Sequence, residues 1–334
     1  MGTGHPPRRD QHPMSALSRR ALLASLLLPA VATAQTETWP SRAITLVVPF
    51  APGGPVDNVA RPLADGLRRH LGPVVVENRA GAGGVVGTRL VAAARPDGYT
   101  LLVGSPGPLV IAPAASADAP DPLQALAPIA LIASSPQILA VNAELPATTL
   151  AEFVALARTR PGGLNMGSAG IGTTPHLAME LLGQIASVRF EHIPYRGTGA
   201  ALPDLVGGKI DGLFGDISAV LPLLPGGRVR ALAITGDRRS PLAPDIPAAA
   251  ELGLPALRVR NFQALLAPAG TPAPILDRVA AAVTAAQQDE AVRAALTRQG
   301  AEAVPSSPAQ LTTFLQEERA TWDPIVKAIG LTLR

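Results

Sequence analysis

From Ala43 to Leu71 an apolar run, AITLVVPF, meets the turn APGGPVDN and passes directly into a helical pattern. In that pattern Val56, Val59, Ala60, Leu63, Ala64, Leu67 and Leu71 recur at three- and four-residue spacing. The same unit returns along the chain. VVVEN (74–78) and TLLVG (100–104) read as further strands, with a Gly-rich loop and a short helix through Leu90 and Ala94 between them. Strands alternating with helices bury both sheet faces, so the pattern predicts an α/β architecture with a mainly parallel sheet.

Residues 105–127 are rich in Ala, Pro, Asp and Ser and read as an irregular connection. ILAVN (138–142) restarts the alternation. Thr149 and Glu152 spell a capping box for a helix over 150–159. LNMGS (164–168) is the next strand. The loop after it leads to a helix whose N-cap is expected at Thr174, with Pro175 in the first helical position. RFEHIPY (189–195), a helix shortened or kinked by Pro203, IDGLFGD (210–216) and RALAIT (230–235) complete a second alternating set. The tail returns to helix after Thr271-Pro272 and after Ser307-Pro308-Ala309-Gln310, a second capping box. The residues alone therefore predict two α/β halves and a terminal helical region.

The N-terminus reads as an address. Arg19 and Arg20 precede an apolar stretch interrupted by Pro29, and Ala32-Thr33-Ala34 is a small-x-small cleavage signal. A signal peptide over 1–34 is expected, exported by the Sec or twin-arginine route and leaving a periplasmic chain. Met1 and Met14 both remain candidate starts. Of 28 basic and 25 acidic residues, Arg8, Arg9, Arg19, Arg20 and Asp10 lie before the cut, which leaves 24 of each. A neutral mature chain offers no basic surface for nucleic acid. The absence of cysteine removes disulfides, thiol catalysis and Cys-ligated zinc.

Two strand-to-helix turns carry the glycines, APGGPVDN (51–58) and SAGIGTTPH (168–176). The first N–H groups of a helix have no partner within it and favour an anion. Two such turns facing each other would clamp a small dicarboxylate, although either alone also serves merely to turn the chain. Asp57 reads as a helix-dipole acid or a ligand contact, His176 as a ligand donor or a packed ring, and Asp216 as a ligand contact or a turn cap. No phosphate-binding loop is present, and GAGGVVG departs from the dinucleotide fingerprint at Val86. No histidine pair has zinc spacing. Neither a cofactor nor a metal is expected. MGSAG (166–170) lacks the first glycine of a nucleophile elbow. An exported serine hydrolase using Ser168 or Ser105 with His176 therefore stands as the rival reading.

WPSRAITLVVPFAPGG, VVVENRAGAGG, RPDGYTLL, SAGIGTTPHLA, HIPYRG, LVGGKIDGLF, RALAIT and LLAPAGTP occur in this order. Together they resemble the Bug-type receptors, the substrate-binding proteins of tripartite tricarboxylate transporters. The resemblance implies a two-domain periplasmic binding protein of type II-like fold, with a ligand cleft between domains. Domain one would comprise 35–138 and 262–334, and domain two 139–261. The crossovers would lie near Pro136–Asn142 and Val259–Pro268, with the C-terminal helices packed on domain one. It further implies a non-catalytic monomer that closes on a small carboxylate and presents it to membrane permease subunits. A sensory module feeding a membrane kinase is the other reading of the same fold. The ligand contacts implied are Pro52, Gly53, Gly54 and Asp57 from domain one, with Ser168, Gly170, Thr173, Thr174 and His176 from domain two. Asp216 is implied near the ligand's other end. The chain departs from the resemblance at Pro55 and Val56, where such receptors usually carry Ser or Gly and then Thr or Ala. Pro55 has no N–H and Val56 no hydroxyl, so fewer donors are expected there.

Overall fold

A computed structural model describes residues 1–5, 39–116, 119 and 121–332. The expected signal peptide falls almost wholly outside the described residues. From Trp39 onward the chain forms one compact unit. Its strands and main helices run β1 (Ile44–Val48), α1 (Pro55–Leu71), β2 (Val74–Asn78), α2 (Val85–Ala92), β3 (Thr100–Gly104), β4 (Leu126–Asn142), α3 (Leu150–Thr159), β5 (Leu164–Ser168) and α4 (Thr174–Ala186). They continue with β6 (Phe190–Pro194), α5 (Thr198–Val206), β7 (Gly212–Asp216), β8 (Val229–Ile234), β9 (Arg260–Pro268), α6 (Ala273–Gln288), α7 (Glu290–Arg298), β10 (Glu302–Ala303) and α8 (Pro308–Ala328).

One mixed sheet connects everything, in the order β2-β1-β3-β9-β4-β7-β5-β6, with β8 and β10 also on β4. The outer strands pair in parallel, β1 with β2 and β3, and β5 with β6 and β7. Every pair involving β4 or β9 is antiparallel. The parallel arrangement expected from the alternation thus holds at the flanks and gives way to antiparallel pairing in the middle. There the chain passes from one half to the other.

Register shows how that passage works. Residues Leu126 to Pro136 of β4 pair with β9, whereas Gln137 to Val141 pair with β7 and Ile138 to Asn142 with β8. β4 is one 17-residue strand serving two half-sheets. Sequence reading expects only its last five residues as strand, because Pro128 and Pro136 disguise the first part. The 105–127 connection is not wholly irregular, since helical turns occupy Gly107–Ile111, Ala112–Ala115 and Pro122–Ala125.

The direction of β4 sets the orientation of the rest. β1 and β3 run parallel to it, each being one antiparallel step from β9 or parallel to a strand that is. Their C-terminal ends therefore point toward the second half. β7 runs against β4, and β5 runs with β7. Their C-terminal ends point back toward the first half. The turns that follow β1, β5 and β7 consequently approach one junction from opposite sides.

Packing fixes the two halves differently. α1 buries Val59, Leu63 and Leu67 against β1 and against Val279 and Val283 of α6. Burial of each such leucine contributes roughly 1.5–3 kcal/mol. Gly66 marks the closest approach, since a Cβ there would lie 2.7 Å from the Ala286 Cβ. Gln287, buried at the end of α6, donates through Nε2 to Leu131 O (2.9 Å) and Ile132 O (2.7 Å), where the β4–β9 register slips. On the opposite face one apolar cluster is continuous across both halves, from Leu102 and Phe262 through Leu139, Phe153 and Leu177 to Leu315 and Trp322 of α8. α8 packs on β4, on α4 and on the 107–115 turns, so this last helix touches both halves. The capping boxes at Thr149 and Ser307 form as expected, each with both reciprocal bonds.

Candidate functional site

The first loop is held from below. Gly53 adopts φ +79°, a left-handed conformation suited to glycine. Its N–H donates to Asp57 Oδ2 at 2.8 Å, and Arg61 Nε donates to the same oxygen at 2.8 Å. Asn78 Nδ2 reaches Asp57 Oδ1 at 2.9 Å and Phe50 O at 3.0 Å. Burial pushes the Asp57 pKa up, but bonds from Arg61, Gly53 and Asn78 outweigh it and hold the carboxylate below its ordinary value. Asp57 is 1% exposed. A buried, ionised carboxylate already accepting three bonds does not itself grip an anion. It shapes the loop that would.

At the start of α1 the cap is Gly54, no side chain bonds to the first turn, and Pro55 opens the helix. The lost N–H of Pro55 costs the helix nothing, because that position has no intrahelical partner. Val56 corrects the reading of a thinned donor set. Its side chain is buried in the core of the first half, so a hydroxyl there would face apolar packing.

The second loop is built on glycine and two histidines. Gly170 sits at φ +126°, where an added Cβ would lie 3.2 Å from Tyr195 O. Thr173 Oγ1 donates to Gly170 O at 2.6 Å. The N-cap is Thr173, with Thr174 and Pro175 as the first two helical residues, one position earlier than the sequence suggested. Thr173 spends its hydroxyl on Gly170, so α4 too lacks a side-chain cap.

His176 Nδ1 accepts from the Gly172 N–H at 3.1 Å, so the neutral ring carries its proton on Nε2, which lies 3.6 Å from Glu180 Oε1. His176 stacks on His192 with centroids 4.0 Å apart. Ser168 Oγ accepts from the Gly170 N–H at 3.0 Å and shares a 2.6 Å bond with His192 Nε2. The partner of Ser168 is therefore His192, not His176. Ser168 is 2% exposed, and among the described residues no carboxylate accepts from His192 Nδ1. A buried hydroxyl without an oriented base is poor equipment for a nucleophile.

Asp216 ends β7 beside Gln137, its register partner on β4. Gln137 Nε2 donates to Asp216 Oδ1 at 2.6 Å, and the Asn261 side chain bonds the same carboxyl. Asp216 keeps some surface open to a narrow cavity, yet its surroundings are dense, and burial raises its pKa. Pro55 lines that cavity with it. Asp216 thus lies close to the start of α1.

The structure brings Gly53, Gly54 and Asp57 into one turn and Ser168, Gly170, Thr173, Thr174 and His176 into another. Both turns meet the junction between half-sheets. Sequence reasoning missed His192, Gln137 and Asn261. The signal for His192 was pairing, since Met166 stands opposite His192 and Ser168 opposite Pro194. Among the described residues no group of His, Asp or Glu is arranged to hold a metal.

The sequence pattern of the tripartite tricarboxylate transporter family receptor matches residues 59–331. The chain belongs to this receptor family. The receptor is 37% identical to BugT of Bordetella pertussis over 306 residues, 91% of this chain and 94% of that one. Among solved structures it resembles MatC of Rhodopseudomonas palustris with bound malate, at 37% identity and TM-score 0.73, covering 86% of this chain and all of that one. A second R. palustris structure, with adipate, aligns at 33% identity and TM-score 0.75 over 88% of this chain and 99% of that one. The receptor therefore has the periplasmic binding protein fold, and its function is solute binding.

Proposed function

We propose that this receptor, after export to the periplasm, captures a small carboxylate at the junction between its half-sheets and presents it to membrane permease subunits, without chemistry of its own. The observation that carries this reading is the convergence of two uncapped helix starts on the junction. Thr149, Asp289 and Ser307 cap their helices with their own side chains, whereas α1, α2, α4, α5 and α6 start without one. α1 and α4 follow β1 and β5, whose C-terminal ends point at the junction, and their uncapped starts leave first-turn N–H groups there for a ligand oxygen. Pro52, Gly53 and Gly54 would approach from one side and Ser168, Gly170, Thr173 and Thr174 from the other. Asp57 and His176 would hold the loops in shape. Malate and adipate in the two R. palustris relatives are ligands of the kind this geometry suits. Division into lobes 35–138 with 262–334 and 139–261, hinged at β4 and β9, is the matching mechanical proposal. The receptor would work as a monomer. Calorimetric titration of the purified protein with mono- and dicarboxylates tests the reading. Saturable one-to-one binding is expected, and no binding across the panel would overturn it.

A further inference from the structure

On β4 and β9, Ser135 stands opposite Asn261 and Pro136 opposite Arg260. Successive residues of a strand face opposite sides of the sheet. The first pair lines the narrow cavity of Pro55 and Asp216. The second lines another cavity, of about 250 Å³. The two cavities thus lie back to back on the strands that join the halves. Arg238, Arg239, Arg258 and Arg260 line the rear cavity, together with Asp237 and Glu302. Arg239 is spent on Glu251 and Pro244 O through all three of its nitrogens. The other three arginines keep free donors. Arg238 Nη2 donates to Glu302 Oε2 at 2.9 Å. Arg258 Nε donates to Pro255 O at 3.1 Å and lies 2.8 Å from Asp237 Oδ1, while its Nη groups meet no acceptor among the described residues. Arg260 Nε lies 3.3 Å from Glu318 Oε1, without a hydrogen bond. Burial raises the Glu318 pKa toward the neutral form, so Arg260 is incompletely balanced. Of the ion pairs among the described residues, only Arg238–Glu302 and Arg260–Glu318 join lobe 139–261 to the other lobe.

We infer that the rear cavity is a second anion site, which takes a small divalent oxyanion of the phosphate or sulfate kind, and that filling it helps the lobes close on their ligand. The site stands on its own residues; the coupling rests on the hinged-receptor reading above. Guanidinium groups match the oxygens of such ions in charge and in geometry. Asp237 and Glu302 face the same space and oppose an anion, but each meets one arginine through one nitrogen. A tetrahedral dianion meets Arg238, Arg258 and Arg260 together. It therefore competes with Glu302 for Arg238, and its charge repels the Glu302 carboxylate. Closing the lobes on one face of the hinge strands spreads them on the other. The Arg238–Glu302 pair ties the lobes together on that spreading face and so resists closure. An ion that takes Arg238 from Glu302 removes the resistance, and carboxylate and oxyanion then tighten each other's binding.

Calorimetric titration of the whole protein with inorganic phosphate tests the inference, with ionic strength held constant by chloride. Saturable one-to-one binding is expected. The tightest-binding acid of the carboxylate panel should gain about threefold or more in affinity at saturating phosphate, and phosphate should gain the same factor when that acid saturates the protein. Arg258 is exposed and takes no part in either pair between lobes, so Arg258→Gln is the safe variant for folding. It should weaken phosphate by about tenfold and leave carboxylate affinity in phosphate-free buffer unchanged. Arg239→Gln removes the same charge from a side chain already spent, and should hold phosphate as the wild type does. Glu302→Gln cuts the tie directly. It should tighten the carboxylate without phosphate, and phosphate should then add little. Thermal melts establish that the variants are folded. Absence of saturable phosphate binding overturns the inference, as does displacement of phosphate by the carboxylate, which would put both ions in one site. Equal losses in Arg258→Gln and Arg239→Gln also overturn it, as an effect of net charge alone. Unchanged or weaker carboxylate binding at saturating phosphate overturns the coupling. Phosphate binding that Arg258→Gln abolishes, in a protein that takes no carboxylate of the panel, would remove the carboxylate reading and the coupling and leave the arginine site standing.

Discussion

Ser168 Oγ lies 2.6 Å from His192 Nε2, a bond from the end of β5 to its edge neighbour β6. It connects the turn of the second loop to an imidazole that in turn stacks on His176. Burial, with a smaller contribution from His176 and opposed by Glu180, lowers the His192 pKa to about 4. The folded protein thus prefers neutral His192, while the unfolded chain takes up its proton near the ordinary value of about 6.5. The resulting stabilisation is complete above that value. It is lost as pH falls from about 6.5 to about 4. The melting temperature of the wild type should drop over this window more than that of His192→Gln, whose amide can still bond Ser168. His192 is only part-buried, so the difference is expected to be a few degrees. Parallel melting curves for the two proteins would refute this.

Asp57 should matter to the loop more than to the helix. Asp57→Ala frees the Gly53 N–H, Arg61 and the Asn78 amide at once. A stability loss of about 2–3 kcal/mol is expected, as for buried partners left unpaired. Carboxylate affinity should fall with it, because Gly53 loses the bond that fixes its φ. Denaturant melts and calorimetry on one preparation check both. Because Asp57 titrates below its ordinary value, its contribution should persist at neutral pH and disappear only in acid, as pH falls through its lowered pKa.

Positions 55 and 56 should separate cleanly. Pro55 is exposed and lines the cavity, so Pro55→Ser adds an N–H and a hydroxyl there. Carboxylate affinity should rise by up to tenfold, at about 0.5–1.5 kcal/mol for a useful bond. Val56→Thr places its hydroxyl in the core and should lower stability by about 1–3 kcal/mol without tightening the ligand. A gain from Val56→Thr in titration would show that its side chain faces the cleft.

Gly170→Ala should damage the second loop through backbone geometry alone. At φ +126° with Tyr195 O at 3.2 Å, an alanine is strained whatever the side-chain space. A cost of about 1–3 kcal/mol is expected, together with weaker ligand binding. Gly197→Ala, also at positive φ but with open space around its Cβ, serves as the control. It should lose stability without losing affinity. Equal loss of affinity in both variants would place the loop's role outside Gly170.

How far the sequence was legible differs by element. α1, α3 and α8 were readable because their apolar spacing, caps and prolines agree, and local preference and tertiary packing ask for the same thing there. β9 was hidden, since RNFQALLAP carries polar residues exactly where it lines the junction, and only the family resemblance marked it as a crossover. The glycine turns announced themselves by composition. His192 and Gln137 did not, because their partners lie on neighbouring strands, 24 and 79 residues away. Asp57 stayed open between two readings, because a buried acid that shapes a turn and an exposed one that meets a solute look alike in one dimension.

The place of β9 in the sheet also bears on how the protein is made. It lies between β3 and β4 in space, yet follows β8 in the chain. Until residues 260–268 leave the ribosome, β3 has no neighbour on one side and the sheet of the first half cannot close. The amino-terminal strands must therefore wait, exposed, for more than half of the translation time. Such late, long-range pairing is slow. A chain of this topology reaches its native state only after synthesis of its second half.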